Sequence, residues 1–441
     1  VLGANYIDIA SQEPRLDPYI IRTFPLADGT EFKVGVLGFG NVNVPNWDLP
    51  SHYEGADFVH ADNTERTLSY EWDNYWKKQL VEVEKCDLVI VAAHTGEGAV
   101  DYDGKPVDLQ DQITHLATTT SGIDIIFGGH DHTSQAKIFQ NKNGEDVIYL
   151  NGGGDTLGKI VLSIEEDGKF SLSTPENLPL EEYEDDVALA SLMKPYYDVT
   201  IPFVSEQIGT LAGEWDDVTD YHTVQGDTYD LVQKAQIWAS GADVSITTPI
   251  PQRGFALSQL FEEGADTAPI SLRDCYALYR YDNNLLYMVE MTGKQLKDWL
   301  EHSAKTYRVE NGKVVGGGYG TDIAYGVDYD VYVGNPEGER VQNVRYKGKP
   351  LADDEILKVA LSSYRLSANP TADAYGWYAV TGISIDSPEV IWEAPLTEEF
   401  GAIGGSISLI IGEYIKAMTD EGQLIRPGAE TNFRVLPESS N

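Results

Sequence analysis

Basic residues are scarce in this chain: 31 lysines and arginines face 71 aspartates and glutamates, a formal charge of -40 over 441 residues. A surface of that sign repels phosphate backbones and anionic bilayers, which excludes bulk nucleic acid and the membrane surface as general partners. A phosphate ester must then meet locally collected positive charge, supplied by metal ions with one or two arginines, so each arginine near a site matters. Cysteine is scarcer still, with Cys86 in an apolar stretch and Cys275 far from it. Two such residues make no disulfide framework and read as buried thiols. No apolar run approaches the twenty or so residues of a membrane span, and no signal peptide is visible. The opening, Val1-Leu-Gly-Ala-Asn5, reads as the middle of a domain. Internal repeats and low-complexity tracts are absent as well.

Histidine is also sparse, with eight in the chain, yet three fall in two matching settings. In Phe127-Gly-Gly-His-Asp-His-Thr133 two histidines stand two residues apart, directly after the apolar run Ile123-Asp-Ile-Ile-Phe127. Cys86-Asp-Leu-Val-Ile-Val-Ala-Ala-His94-Thr-Gly96 repeats the pattern: an apolar strand, a histidine at its end, and a glycine close behind. Strand C-terminal ends in α/β sheets collect catalytic groups, and glycines let the backbone turn sharply there. Imidazoles at neighbouring strand ends suit a borderline metal such as zinc, manganese or iron. His94, His130 and His132 are therefore the candidate ligands. His115, inside a helix expected over residues 109–119, lacks that setting and reads as a surface or core histidine.

The length calls for two domains, and 42% apolar content supports packed cores. Strands alternate with helices through the first part, including an amphipathic helix expected over residues 63–85 with Leu68, Trp72, Trp76, Leu80 and Val83 at core spacing. That alternation is α/β layering. An acidic connecting helix is expected over residues 180–206, interrupted at Pro195 and Pro202. A second α/β unit follows from Gly209.

At these residues the chain resembles the bacterial 5′-nucleotidase and 2′,3′-cyclic-nucleotide 2′-phosphodiesterase family of metallophosphoesterases. The resemblance rests on Ala93-His-Thr-Gly96, Gly129-His-Asp-His132, Val289-Glu-Met-Thr-Gly-Lys-Gln-Leu-Lys297, Lys358-Val-Ala-Leu-Ser-Ser-Tyr-Arg365 and Asn432-Phe-Arg-Val435, in that order. It implies an incomplete layered metallophosphoesterase domain of α/β/β/α type over residues 1–175, a linker helix over 176–207, and an α+β 5′-nucleotidase C-terminal substrate-binding domain over 208–441. By the resemblance, the family's two divalent ions (Zn, Mn, Fe, Co or Ca) also need Asp-x-His, Gly-Asp and Gly-Asn-His-Glu motifs that belong upstream of the segment which Val1-Leu-Gly-Ala-Asn5 resembles, and the general-acid histidine has no counterpart here. At most one ion is expected here, and the missing N-terminal segment is itself a potential partner.

By resemblance, Tyr281 and Tyr364 fall where the family stacks the nucleoside base. Arg253 matches the family arginine, within Thr248-Pro-Ile-Pro-Gln-Arg253. Trp377, in an aromatic loop that replaces the family's glycine-rich one, is the next candidate ring. The implied activity is metal-dependent hydrolysis of nucleotide phosphate esters, outside the cytoplasm at the cell surface or in the periplasm. The Tyr364-Arg365 pair favours the cyclic phosphodiesterase and 3′-nucleotidase branch. A non-catalytic nucleotide-binding or interaction protein is the alternative.

Overall fold

The run Leu88-Val-Ile-Val-Ala-Ala93 carries no polar side chain on either face, the pattern of a parallel strand covered on both sides. In a computed structural model of the chain it is an inner strand of a six-stranded sheet. The structure describes residues 1–48, 50–165, 168–252, 254–318, 320–366, 377–395, 405–428 and 432–439. Two units are resolved by their internal packing, Val1–Val187 and Ala188–Asn441.

The strands of the first sheet are β1 (Tyr19–Pro25), β2 (Glu31–Phe39), β3 (Leu88–Ala93), β4 (Ile125–Phe127), β5 (Ser134–Gln140) and β6 (Asp146–Gly152), in the order β1-β2-β3-β4-β6-β5. β2, β3, β4 and β6 run parallel, and β1 and β5 pair antiparallel at the edges. Alternate residues feed two cores. On one face Leu37, Val89, Val91, Ile126 and Tyr149 pack against Trp72, Trp76, Leu80, Ile113 and Leu116. On the other, Val34, Leu88, Ile125, Ile148 and Leu150 pack against Ile160, Leu162 and Phe170. Those last residues belong to a second β layer in which Leu162–Ile164 pairs with Phe170–Leu172 and Thr156–Lys159 with Glu176–Pro179.

The helix expected over residues 63–85 starts instead at Leu68, where the Thr67 side chain caps it by accepting from the Tyr70 N–H. It then widens into π turns across Trp72–Trp76 and Lys78–Val83. The sequence explains the widening. Leu68, Trp72, Trp76 and Leu80 recur every four residues, and at 3.6 residues per turn each step drifts by about 40°. Wider turns cancel that drift, and all four side chains bury. Val83, only three residues on, falls off the stripe and is 57% exposed.

The helix expected over 109–119 is α1 (Ile113–Thr119), shorter because the Asp108 carboxylate holds Gln110 N–H in a turn ahead of it. The connecting helix, α2 (Val187–Ser205), begins later than the expected 180 and runs unbroken through Pro195 and Pro202. None of its residues is buried. Water can therefore satisfy the carbonyls that two prolines leave without an N–H donor, which is what makes interior proline so costly elsewhere. No helix among the described residues is long and apolar enough to cross a membrane.

In the second unit a five-stranded sheet is formed by β7 (Val244–Thr247), β8 (Leu286–Thr292), β9 (Ile323–Tyr325), β10 (Ile356–Ser362) and β11 (Val390–Glu393), in the order β9-β7-β10-β8-β11. Helix α3 (Asp227–Ser240) precedes β7, and α4 (Gly293–Ala304) follows β8 behind a Thr292/Gln295 capping box. Asp230, in the first turn of α3, is 4% exposed and accepts from Gln225 Nε2.

Burial raises the Asp230 pKa to about 6, from roughly 3.9 in an unfolded chain. The folded state then holds this proton more tightly than the unfolded one. Its contribution to stability is full below about pH 4 and is lost as the pH rises through about 6. Asp230→Asn should accordingly raise Tm at about pH 7.5, by on the order of 1–2 kcal/mol of stability, and change little at about pH 4. Thermal unfolding at the two pH values checks this, and an equal shift at both would refute it.

Candidate functional site

Parallel pairing sets three strand ends of the first unit side by side, with Phe39 opposite Ala93 and Ala92 opposite Phe127. The loops that leave these ends carry the candidate histidines. His94 leaves β3 with its N–H on the Phe39 carbonyl (2.9 Å), and Asn41 Nδ2 donates to the His94 carbonyl (3.0 Å). After β4, Gly128 passes so close to Tyr149 that an added Cβ would lie 2.6 Å from its ring, so this position requires glycine.

His130 and His132 both adopt left-handed φ, 71° and 54°. Such conformations are uncommon outside glycine and collect at functional turns. They also aim the rings: His130 stands edge-to-face on His94 with ring centres 5.4 Å apart, and it stacks on Trp47 at 4.8 Å. Burial, with His94 and His132 adding to it, holds the His130 pKa below the ordinary imidazole value. Asp131, between the two histidines, ties the turns together. Its carboxylate accepts from Asn151 Nδ2 (2.7 Å), Glu97 N–H (3.0 Å) and Thr133 N–H (3.1 Å).

His94 and His130 are thus brought together, while His132 acts on His130 electrostatically. Among the described residues, however, no group of three or more His, Cys, Asp or Glu side chains converges so as to hold a metal ion. A hydrolytic divalent centre takes carboxylate or further imidazole donors besides such a pair. The donor set expected of His94, His130 and His132 is therefore not assembled by these residues alone. His115 is a core histidine: 9% exposed, with Nδ1 3.1 Å from Ser69 Oγ, and its pKa is lowered by burial.

In the second unit, β7 and β10 run parallel while β8 and β9 run against them. The ends of β7 and β10 and the starts of β8 and β9 consequently share one end of the sheet. Thr248, Asp322, Tyr364 and Arg365 directly flank those strand ends, and Tyr281 lies on the turn ahead of β8. Arg365, whose side chain is 3% exposed, donates to Asp322 from Nε (2.9 Å) and Nη2 (2.8 Å) and also to Thr248 Oγ1. Trp299 Nε1 donates to the same carboxylate at 2.8 Å.

Tyr281 and Tyr364 are both partly exposed. Trp377, expected as a substrate-facing ring, is 1% exposed and packs flat on Trp299 at 4.6 Å, with the Arg365 guanidinium 4.9 Å from its centre. It is a core residue, with Trp299 stacked on the indole and His302 standing edge-on to it at 4.6 Å. Arg253 lies outside the described residues.

Residues 207–375 match the family described as 5′-nucleotidase, C-terminal domain. A 2′,3′-cyclic-nucleotide 2′-phosphodiesterase/3′-nucleotidase of Salmonella typhimurium is 26% identical over 501 aligned residues, across 100% of this chain and 72% of its own. The fold is that of a putative 5′-nucleotidase from Staphylococcus aureus solved with alpha-ketoglutarate, at a TM-score of 0.70 and 22% identity over 99% of this chain and 78% of that one. A 5′-nucleotidase precursor from Thermus thermophilus matches at a TM-score of 0.58 and 17% identity, covering 100% of this chain and 79% of its own. The stretch matched by that family contains the Thr248, Asp322 and Arg365 cluster. The relatives are nucleotidases and phosphodiesterases, which are hydrolases of phosphoric esters.

Sequence reasoning passed over several residues of both sites. Asp322 was hidden because its partner Arg365 is 43 residues away, although the glycine-rich stretch just before it marks a functional-looking turn. Trp47 sits in an asparagine-rich loop whose relation to β4 only the sheet order reveals.

Proposed function

We propose that the protein hydrolyses nucleotide phosphate esters of the 2′,3′-cyclic and 3′-monoester class, with phosphoester chemistry in the first unit and nucleoside recognition in the second. The observation that carries this is the paired His94 and His130 rings at adjacent strand ends, held by two left-handed histidine residues. In this reading residues 1–175 are the C-terminal part of a metallophosphoesterase domain, 176–207 a linker, and 208–441 the substrate-binding domain. His94, His130 and His132 would supply imidazole donors to a divalent ion, which would need further donors besides them. Such an ion would activate a water for attack on phosphorus.

Tyr281 and Tyr364 stack the base, which every nucleobase tolerates because each has a π face. Arg253 and Thr248 are the proposed contacts to sugar and phosphate. Tyr281→Ala and Tyr364→Ala should each weaken binding of every nucleoside by about 1–3 kcal/mol in titration calorimetry. Unchanged affinity in both variants would end the stacking assignment. A location outside the cytoplasm, at the cell surface or in the periplasm, belongs to the same reading.

The deciding assay is turnover of 2′,3′-cyclic AMP and bis-p-nitrophenyl phosphate with added divalent ions. Hydrolysis supports the proposal. Nucleoside binding without turnover would favour a nucleotide-binding protein instead.

A further inference from the structure

The carboxylate of Asp131 stands where two loops and a strand end of the first unit meet. Its Oδ1 accepts from Asn151 Nδ2 near the end of β6 (2.7 Å) and from the Thr133 N–H (3.1 Å), while its Oδ2 accepts from the Glu97 N–H (3.0 Å), three residues beyond His94. An ionised carboxylate accepts from several donors and donates to none, which suits a junction built of N–H groups. The loops touch here. A Cβ added at Gly96 would lie 2.7 Å from the Asp131 Cβ, so glycine is what lets the His94 loop come this close. The Gly129 N–H also reaches the Thr95 carbonyl (3.2 Å), setting one turn against the other. His130 and His132, on either side of Asp131, hold φ at 71° and 54°, a conformation that persists only where surrounding contacts over-determine it. Asp131 supplies three such contacts.

We propose that Asp131 is a positioning residue: it fixes the distance and angle between the His94 and His130 imidazoles, and the rate of phosphoester hydrolysis depends on that setting. The proposal rests on the reading of those two imidazoles as part of the hydrolytic site. The bond to Glu97 holds the loop that leaves β3 with His94, and the bonds to Asn151 and Thr133 hold the turn that carries His130. Without the junction each ring drifts on its own loop. A misplacement of about 1 Å is enough to cost on the order of 100-fold in rate. Nucleoside affinity belongs to the second unit in the same reading, so it does not depend on the junction.

The test uses the full chain with its eight histidines isotopically labelled at Cε1, so that nuclear magnetic resonance reads each ring separately. His130 lies flat on Trp47 and edge-on to His94, which gives its signal a ring-current shift, and loss of that signal in His130→Gly assigns it. Asp131→Asn puts an N–H group where the junction has only donors to offer. It should move the His130 signal and lower kcat for 2′,3′-cyclic AMP about 10- to 100-fold, with KM within about twofold of wild type. The double variant Asp131→Asn with Asn151→Asp exchanges donor and acceptor across the junction and should recover part of both effects. An unmoved His130 signal in Asp131→Asn overturns the proposal, and so does a moved signal with wild-type kcat. A kcat that falls only in step with Tm, without recovery in the exchange variant, marks a merely structural role and overturns it as well. If the wild-type chain hydrolyses nothing, the hydrolytic reading fails and the catalytic half of the proposal with it, whereas the His130 signal still decides whether Asp131 places the ring.

Discussion

Arg365→Leu should destabilise the second unit by about 3–5 kcal/mol, enough to lower its Tm by roughly 10 °C. The arginine is 3% exposed and its partner Asp322 is 0% exposed, so truncating the cation leaves an interior carboxylate without the counter-charge that Arg365 supplies. Neighbours cannot compensate fully. Trp299 Nε1 and Thr248 Oγ1 already donate to Asp322, but neither carries charge. Asp322→Asn in the Arg365→Leu background should restore part of the loss, because an amide keeps an acceptor for Trp299 without the buried charge. Differential scanning calorimetry of the two variants tests both steps. A Tm for Arg365→Leu within about 2 °C of wild type would mean that the pair is solvated in solution.

What the sequence made legible follows from how each element is stabilised. β3 and β4 could be read because a strand buried on both faces must be a continuous apolar run, and the histidines were flagged because parallel strands deliver their C-terminal ends to one side. The capping box at Thr292 is a local feature, since both halves of it lie within four residues. Other features depended on distance. The Arg365–Asp322 pair joins the ends of β10 and β9, which are not neighbours in the sheet. No local pattern announces such a pair.

Trp377 misled because an aromatic residue in a loop-like stretch has the same composition whether it faces ligand or core. Only its neighbours Trp299 and Arg365 decide between the two. The helix over residues 68–83 shows a subtler limit: the four-residue repeat was visible, but it implied a wider winding and a later start than a regular 3.6-residue helix. Asp131 was visible only as the residue between two histidines. Its three accepted hydrogen bonds, which join the loops after β3 and β4 to the end of β6, depend on sheet order.

Removing the His130 imidazole should cost about 100-fold or more in kcat/KM for a nucleotide phosphoester, because the proposed divalent ion would lose one of its imidazole donors. The ring is half-buried between Trp47 and His94, and no other imidazole among the described residues makes a ring contact with His94. A neighbour is therefore poorly placed to substitute. The choice of variant matters because His130 holds φ at 71°, where alanine is strained and glycine is not. His130→Gly should accordingly be the more stable of the two variants by about 1 kcal/mol, although both lack the ring. If catalysis depends on the imidazole, His130→Ala and His130→Gly lose rate equally while their Tm values differ. If instead the rate follows Tm, so that the glycine variant retains activity, His130 serves the turn and not the chemistry. Adenosine affinity provides the control, since Tyr281 and Tyr364 belong to the other unit and should bind as before in both variants.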